Sequence, residues 1–148
     1  MVAKGARLMN RVVTVKEPMP APLPRRKRAA AYARVSLGTA HMLHSLAAQV
    51  SYYSEFIQKN GEWVYAGVYA DADETGTRDN RPEFQRMLTD CRAGLIDIVI
   101  TKSVSRFARN TVALLETVRE LNDLCIDVFF EEQAIHTLGT EGELLLTI

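Results

Sequence analysis

The amino-acid sequence predicts an α/β domain whose sheet is parallel and covered on both faces. Four β-compatible runs, RAAAYARVS, WVYAGVYAD, IDIVITK and CIDVFFE, read as continuous apolar stretches rather than alternating ones, the pattern of strands buried on both sides. Stretches with helical spacing lie between them, giving the order βαβαβαβ, in which each helix is a natural crossover between parallel strands. Polar and charged residues gather directly after the runs, where open α/β sheets carry their functional groups.

Each element has its own signal. Residues 1–28, MVAKGARLMNRVVTVKEPMPAPLPRRKR, hold four of the five prolines and no sustained helical period, so a flexible basic arm is expected ahead of a domain at 29–148. After the first strand, Leu46, Val50, Tyr53 and Ile57 form one apolar stripe, and the Gly-containing KNGEW ends that helix. Phe84, Met87, Leu88 and Cys91 form a second stripe. Asn80 is a capable cap for that helix, and Pro82 suits its first turn. Val112, Leu115, Val118 and Leu121 form the third stripe, and EGELLLTI begins a further helix at the end of the sequence. The expected architecture is a flavodoxin-like, three-layer parallel-sheet domain with a C-terminal helix that is cut short.

The chain has 148 residues, 47% apolar and 24% charged, which is ordinary usage for one domain with its own core. Its formal net charge of zero is unevenly spread. The first 28 residues carry eight Lys or Arg against one acid, net +7, and leave −7 for the remainder. The RRKR of the arm could touch a phosphate backbone, or could be a solvated tether. No signal-peptide core is present and nowhere do 18 apolar residues run together, so a soluble cytoplasmic protein without a membrane partner is expected. Cys91 and Cys125 lack metal spacing and read as buried, reduced thiols.

The residues at the strand ends carry the chemistry. Ser36 closes the first run with Arg34 two residues earlier, on the same side of an extended chain. Lys102, Arg106 and Arg109 follow the third run in TKSVSRFARNT, with the two arginines three apart and so able to share a helical face. Arg78 and Arg81 lie in TGTRDNRPEF, where a further cation could swing inward. Taken singly, Ser36 reads as a turn residue or cap, and Arg106 and Arg109 as ion-pair partners of Asp71, Asp73 or Glu74. Taken together, they describe an anion site built around a hydroxyl. Guanidinium groups suit the paired oxygens of a phosphodiester, and their stabilisation grows as a nucleophile attacks phosphorus. No acidic triad or His set with ligand spacing appears, and metal-free phosphoryl transfer is the favoured chemistry. His41 and His44 are remote candidates for a base, and His136 reads as a surface residue. No GxSxG elbow or Walker loop is present.

The blocks AAAYARVS, YADADETGT, RPEFQRML, GLIDIVITKSVSRFARNT and GELLLTI, in this order over residues 27–148, resemble the catalytic domain of the serine recombinases, the resolvase and invertase family. The KSVSRFARN form and the long gap from Ser36 to Gln49 are most similar to the large serine recombinases of phages and mobile elements. The resemblance implies a serine that attacks a DNA phosphodiester to give a 5′-phosphoserine link and a free 3′-hydroxyl. Strand exchange in a synaptic tetramer, formed from dimers, then precedes resealing, with double-stranded DNA and the protein itself as partners and no metal or ATP. By position, Ser36 is the nucleophile and Arg34, Arg106 and Arg109 are its phosphate cluster. Arg81 matches the family's mobile-loop arginine, with Arg78 as rival. Tyr32, Gln49, Asp71 and Ser105 match supporting positions, and Lys102 is a further DNA-side cation.

Two departures stand out. LGTAHMLHS follows Ser36 where the family has Thr and then acidic or Gln-rich residues. The family's Glu and Arg on the long interface helix have no counterpart before Ile148, so a catalytic-domain fragment with weak or no recombination of its own is expected. Two other readings stay open: a module that binds phosphate or DNA backbone without breaking bonds, and an assembly domain that pairs through ELLLTI.

Overall fold

The computed structural model describes residues 25–37, 40–74, 81–139 and 142, with Ser36, Leu37, residues 40–44, Asp73 and Glu74 described in backbone only. Strand β1 (Lys27–Leu37), helix α1 (Ala40–Lys59), strand β2 (Trp63–Glu74), helix α2 (Pro82–Arg92) and strand β3 (Ile98–Thr101) follow in order. The one-turn helix α3 (Val104–Phe107), helix α4 (Thr111–Asp123), strand β4 (Asp127–Phe130) and the short β5 (Ile135–His136) complete the series. The expected alternation is there, with α3 and β5 added to it. The sheet order is β2-β1-β3-β4-β5. The first four strands are mutually parallel, and β5 turns back antiparallel to β4. Strand β1 takes in Lys27 and Arg28, which the sequence had assigned to the basic arm.

Helices cover both faces, as the continuous apolar strands require. On one face Ala29, Ala31, Ala33, Ile98 and Ile100 pack against Tyr53 and Ile57 of α1. On the other, Ala30, Tyr32, Val99, Val128 and Phe130 meet Phe84, Met87, Leu88 and Cys91 of α2 and Leu114, Val118 and Leu121 of α4. Each fully buried large side chain contributes about 1.5–3 kcal/mol. The small side chains of Ala29, Ala31 and Ala33 let α1 approach β1 closely on its face of the sheet.

A bulge in β2 sets which residues face which layer. Tyr65 pairs with Ala29 and Gly67 with Ala30, so Ala66 is an extra residue, and Gly67 sits at φ +134°. A one-residue slip inverts the alternation of everything beyond it. Trp63, before the bulge, packs on the α1 side, whereas Tyr69 faces α2. Without the bulge Tyr69 and Asp71 would point to the α1 layer.

Several expectations need correction. The buried stripe of α4 is Leu114, Val118 and Leu121, while Val112 is 66% exposed. The Asn110 side chain accepts from the Ala113 amide at 2.8 Å, so Val112 lies in the first turn, over solvent. Cys91 is buried as expected, but Cys125 is exposed. It sits at φ +58° in the turn that closes α4, with its amide on the Asn122 carbonyl and that of Ile126 on Leu121, and this left-handed closure turns its side chain outward. Pro82 does open α2, but the residue at the cap position is Arg81, whose side chain does not cap the helix. Asn80 lies outside the described residues.

Candidate active site at the carboxyl edge of the sheet

Parallel strands bring the ends of β1, β2 and β3 to one edge. Arg34 is registered against Asp71 and Ser36 against Asp73, and Tyr32 against Thr101 on the other side. Beyond Thr101 the chain passes through Lys102 and Ser103 into α3. That helix is fixed by Phe107, fully buried and edge-on to both Phe84 at 5.2 Å and Phe130 at 5.7 Å. With Phe107 anchored, Arg106 reaches back across the sheet edge, and its Nη1 donates to the Arg34 carbonyl at 2.7 Å. Two residues 72 apart in sequence meet there, two positions before Ser36. The Ser36 backbone lies in β1; its side chain is outside the described residues.

The pair Arg106 and Arg109 is not held on a common helical turn. The helix ends at Phe107, and Ala108 is extended at φ −140° and ψ 143°, so Arg109 stands in the bend ahead of α4, on an exposed side chain. Ser105 is exposed, with its hydroxyl 3.0 Å from that of the buried Ser103. Lys102 is exposed and lies 4.0 Å from Glu132. Gln49 and Lys102 both line a cleft of about 460 Å³ between α1 and the ends of β3 and β4, together with Tyr52, Tyr53 and Glu131.

Asp71 is almost fully buried and works inside the fold. Its carboxylate accepts from the Tyr32 hydroxyl at 2.9 Å and from the Glu83 and Phe84 amides at 3.0 Å each. It therefore caps α2 from the neighbouring strand, supplying the acceptor that Arg81 does not, and a negative charge at a helix N-terminus is stabilising. Burial, reinforced by the Asp71 charge, pushes the Tyr32 hydroxyl well above its ordinary pKa, so it stays a donor. Asp71 is thus a brace between β1, β2 and α2 rather than a partner of Arg106 or Arg109.

Arg81 is buried too, at 8% exposure. Its Nη1 donates to the Phe107 carbonyl at 2.7 Å, and its guanidinium lies 3.9 Å from the Phe84 ring centre. The sequence had placed it in a loop free to swing. Arg78, the rival at that point, lies outside the described residues, as do the His41 and His44 side chains. His136 is exposed, stacked on Phe129 and bonded through Nδ1 to Asp127 at 2.6 Å.

One acid escaped the sequence reading. Glu131, the first residue after β4, takes the Tyr52 hydroxyl on Oε2 at 3.0 Å, while its Oε1 is enclosed without a hydrogen-bond partner. Burial first, and then Glu131, push the Tyr53 hydroxyl well above its ordinary pKa, with the Arg106 charge opposing. A carboxylate directly after a β-run was the available signal. Among the described residues no group of three or more His, Cys, Asp or Glu is placed to hold a metal ion, and no helix is long and apolar enough to cross a membrane.

Known proteins resemble this chain in sequence and in fold. A Pseudomonas putida protein described as a resolvase/recombinase is 27% identical over 74 residues, which is 50% of this chain and 40% of that relative's length. A resolvase family site-specific recombinase from Streptococcus pneumoniae has a crystal structure with TM-score 0.62 and 26% identity, over 81% of this chain and 82% of that one. The N-terminal catalytic domain of TP901-1 integrase shares the fold at TM-score 0.59 and 23% identity, over 80% and 88% of the two chains. The family model described as Resolvase, N terminal domain, matches residues 29–148. The chain belongs to that family.

Proposed function

We propose that residues 27–148 form the catalytic domain of a site-specific DNA recombinase, with Ser36 as nucleophile and residues 1–26 as a basic arm that adds backbone affinity. The observation that carries this is the bond from Arg106 to the Arg34 carbonyl, which sets a guanidinium beside the strand end that bears Ser36. Family membership and the similarity to a solved site-specific recombinase support it.

In this reading Ser36 Oγ attacks a DNA phosphorus. An Oγ–P bond forms, the P–O3′ bond breaks, and the proton lost by the serine is matched by the one gained by the departing 3′-oxygen. The product is a 5′-phosphoserine and a free 3′-hydroxyl. Because one phosphoester replaces another, the reverse attack reseals the strand without an external energy source. Arg106, with Arg34 and Arg109, supplies charge where the non-bridging oxygens become more negative, stabilising the transition state more than the ground state. Lys102 and Ser105, exposed at the same edge, face the DNA backbone. Gln49, in the cleft beside them, and the buried Tyr32 and Asp71 support the site. Double-stranded DNA is the substrate, the protein pairs with itself in a dimer and synaptic tetramer, and the setting is the cytoplasm.

Suicide DNA substrates, in which the 3′-end diffuses away after cleavage, test the assignment. A full-length version of the protein should accumulate a covalent DNA adduct, and Ser36→Ala should abolish it. An adduct that persists in full-length Ser36→Ala would sink the nucleophile. Binding without any adduct in the unaltered full-length protein would favour a module that only holds the backbone.

A further inference from the structure

We propose that Glu131 is a positioning residue for the reaction, tying the helix that follows Ser36 to the passage that leads to Arg106. Helix α1 starts at Ala40, close behind Ser36 at the end of β1, so any freedom in α1 is felt at the nucleophile. The Arg106 passage leaves β3 at Thr101, and backbone pairing follows it out of the sheet. The Glu131 amide donates to the Thr101 carbonyl at 3.0 Å and the Glu132 amide to the Lys102 carbonyl at 2.9 Å. Glu131 thus stands where the end of β4 supports the chain that carries Lys102 and Arg106.

Its side chain makes the tie. The Tyr52 hydroxyl of α1 donates to Glu131 Oε2 at 3.0 Å. Both residues line the cleft of about 460 Å³ between α1 and the ends of β3 and β4, so the bond joins its two walls. A hydrogen bond at the surface is weak when both partners must be ordered to make it, and here both are ordered already. Glu131 Oε1 is enclosed by the protein, which limits the carboxylate to few orientations. The Tyr52 ring lies edge-on to Tyr53 at 5.1 Å and stacked on Phe56 at 5.9 Å, which fixes where its hydroxyl points. Neither Tyr52 nor Glu131 is among the residues that the family resemblance pointed to. The effect on rate rests on the reading of Ser36 and Arg106 given above, whereas the tie itself does not.

Tyr52→Phe removes the hydroxyl and keeps the ring, so it cuts the tie without disturbing the aromatic packing. In hydrogen exchange on the whole chain it should speed the Glu132 amide, which bonds to Lys102, by about fivefold, the net worth of one hydrogen bond. The Val99 and Ile100 amides inside β3 should stay unchanged. Glu131→Ala should act like Tyr52→Phe, and Glu131→Gln, which keeps an acceptor for the hydroxyl, should restore most of the protection. Unaltered exchange at Glu132 in Tyr52→Phe overturns the proposal. The bond to Glu131 holds the Tyr52 hydroxyl above its ordinary pKa, so Glu131→Gln should bring the Tyr52 titration down when followed by carbon NMR, and a titration that does not move also overturns it. In the suicide-substrate assay with the full-length protein at saturating DNA, Tyr52→Phe and Glu131→Ala should each slow adduct formation about fivefold, with the half-saturating DNA concentration unchanged. The double variant should lose no more than either alone. A full rate in Tyr52→Phe, or losses that multiply, would show that the carboxylate does not act through the tie and would overturn the proposal. Failure of the Ser36→Ala test would instead remove the nucleophile and leave the exchange result standing.

Discussion

Replacing Asp71 by Ala removes one acceptor from three donors. The two amides at the start of α2 lose a cap, which costs about 1 kcal/mol. The Tyr32 hydroxyl, fully buried against Phe84, is left without its acceptor, and an unsatisfied buried hydroxyl costs about 2 kcal/mol. Together that is about 3 kcal/mol from a total stability on the order of 5–15 kcal/mol. For a chain of this size it corresponds to a fall in Tm of about 10 °C. Thermal and urea unfolding followed by circular dichroism, in Asp71→Ala, Tyr32→Phe and the double variant, would measure it. Tyr32→Phe alone should cost about 1 kcal/mol, and nearly nothing once Asp71 is gone, because the hydroxyl then has no acceptor to lose. A Tm drop below about 3 °C in Asp71→Ala, or strictly additive costs in the cycle, would refute the brace and return Asp71 to the role of a surface acid.

Other expected outcomes rest on separate features. Gly67→Ala has room for its methyl group, with no atom closer than 4.0 Å, but φ +134° forbids the conformation, so urea unfolding should show a loss of about 1–2 kcal/mol. Burial pushes the Cys91 thiol up to about 12 and Cys125 is exposed, so a chromogenic disulfide reagent at pH 8 should titrate one thiol in the native chain and two in urea. The Arg28 guanidinium, bonded to Asp97 at 3.0 Å through both Nε and Nη2, holds that half-exposed carboxyl below the usual carboxylate range. A depressed folded pKa gives stability that is complete above the ordinary value near ~3.9 and is lost as pH falls through the folded value. Arg28→Ala should therefore raise the Asp97 pKa measured by carbon NMR and start acid unfolding at a higher pH.

The features legible in the sequence were those written in periodicity. Continuous apolar runs gave four strands and both covering layers, and the α2 stripe of Phe84, Met87, Leu88 and Cys91 is buried residue for residue. The misplaced α4 stripe shows where periodicity fails. Val112 and Leu114 are equally apolar, and only the Asn110 cap decides which belongs to the first, solvated turn. Polar roles were less legible because they depend on partners distant in sequence. Asp71 looked like a strand-end acid able to pair with Arg106 or Arg109, yet the bulge at Ala66 turns it into the layer where Tyr32 and the α2 amides wait. Gly67 inside an otherwise β-prone run was the visible trace of that bulge. Arg81 looked mobile because its loop is rich in turn residues, and nothing local announces the Phe107 carbonyl 26 residues on.

How the site draws in DNA is a question of local rather than total charge. The residues after the arm sum to −7, so bulk attraction works against a polyanion and the field at the sheet edge must reverse it over a few ångströms. The bond from Arg106 to Arg34 suits that task because its acceptor is a neutral carbonyl. It fixes the guanidinium in place through one of five N–H donors without cancelling its charge, as a carboxylate would. Asp71, the nearest buried acid across the β1–β2 register, is held away by Tyr32 and two amides. Asp71 thus braces the sheet edge without neutralising Arg106, which leaves that guanidinium's charge at the site. Moving an acid into it would test this: Ser105→Asp, on an exposed position one residue before Arg106, should weaken DNA backbone binding about tenfold at low salt and less at 0.5 M, since exposed charges are screened beyond a Debye length of about 10 Å at 0.1 M. A variant whose binding falls equally at both salt concentrations would show that charge at this edge is not what holds the DNA.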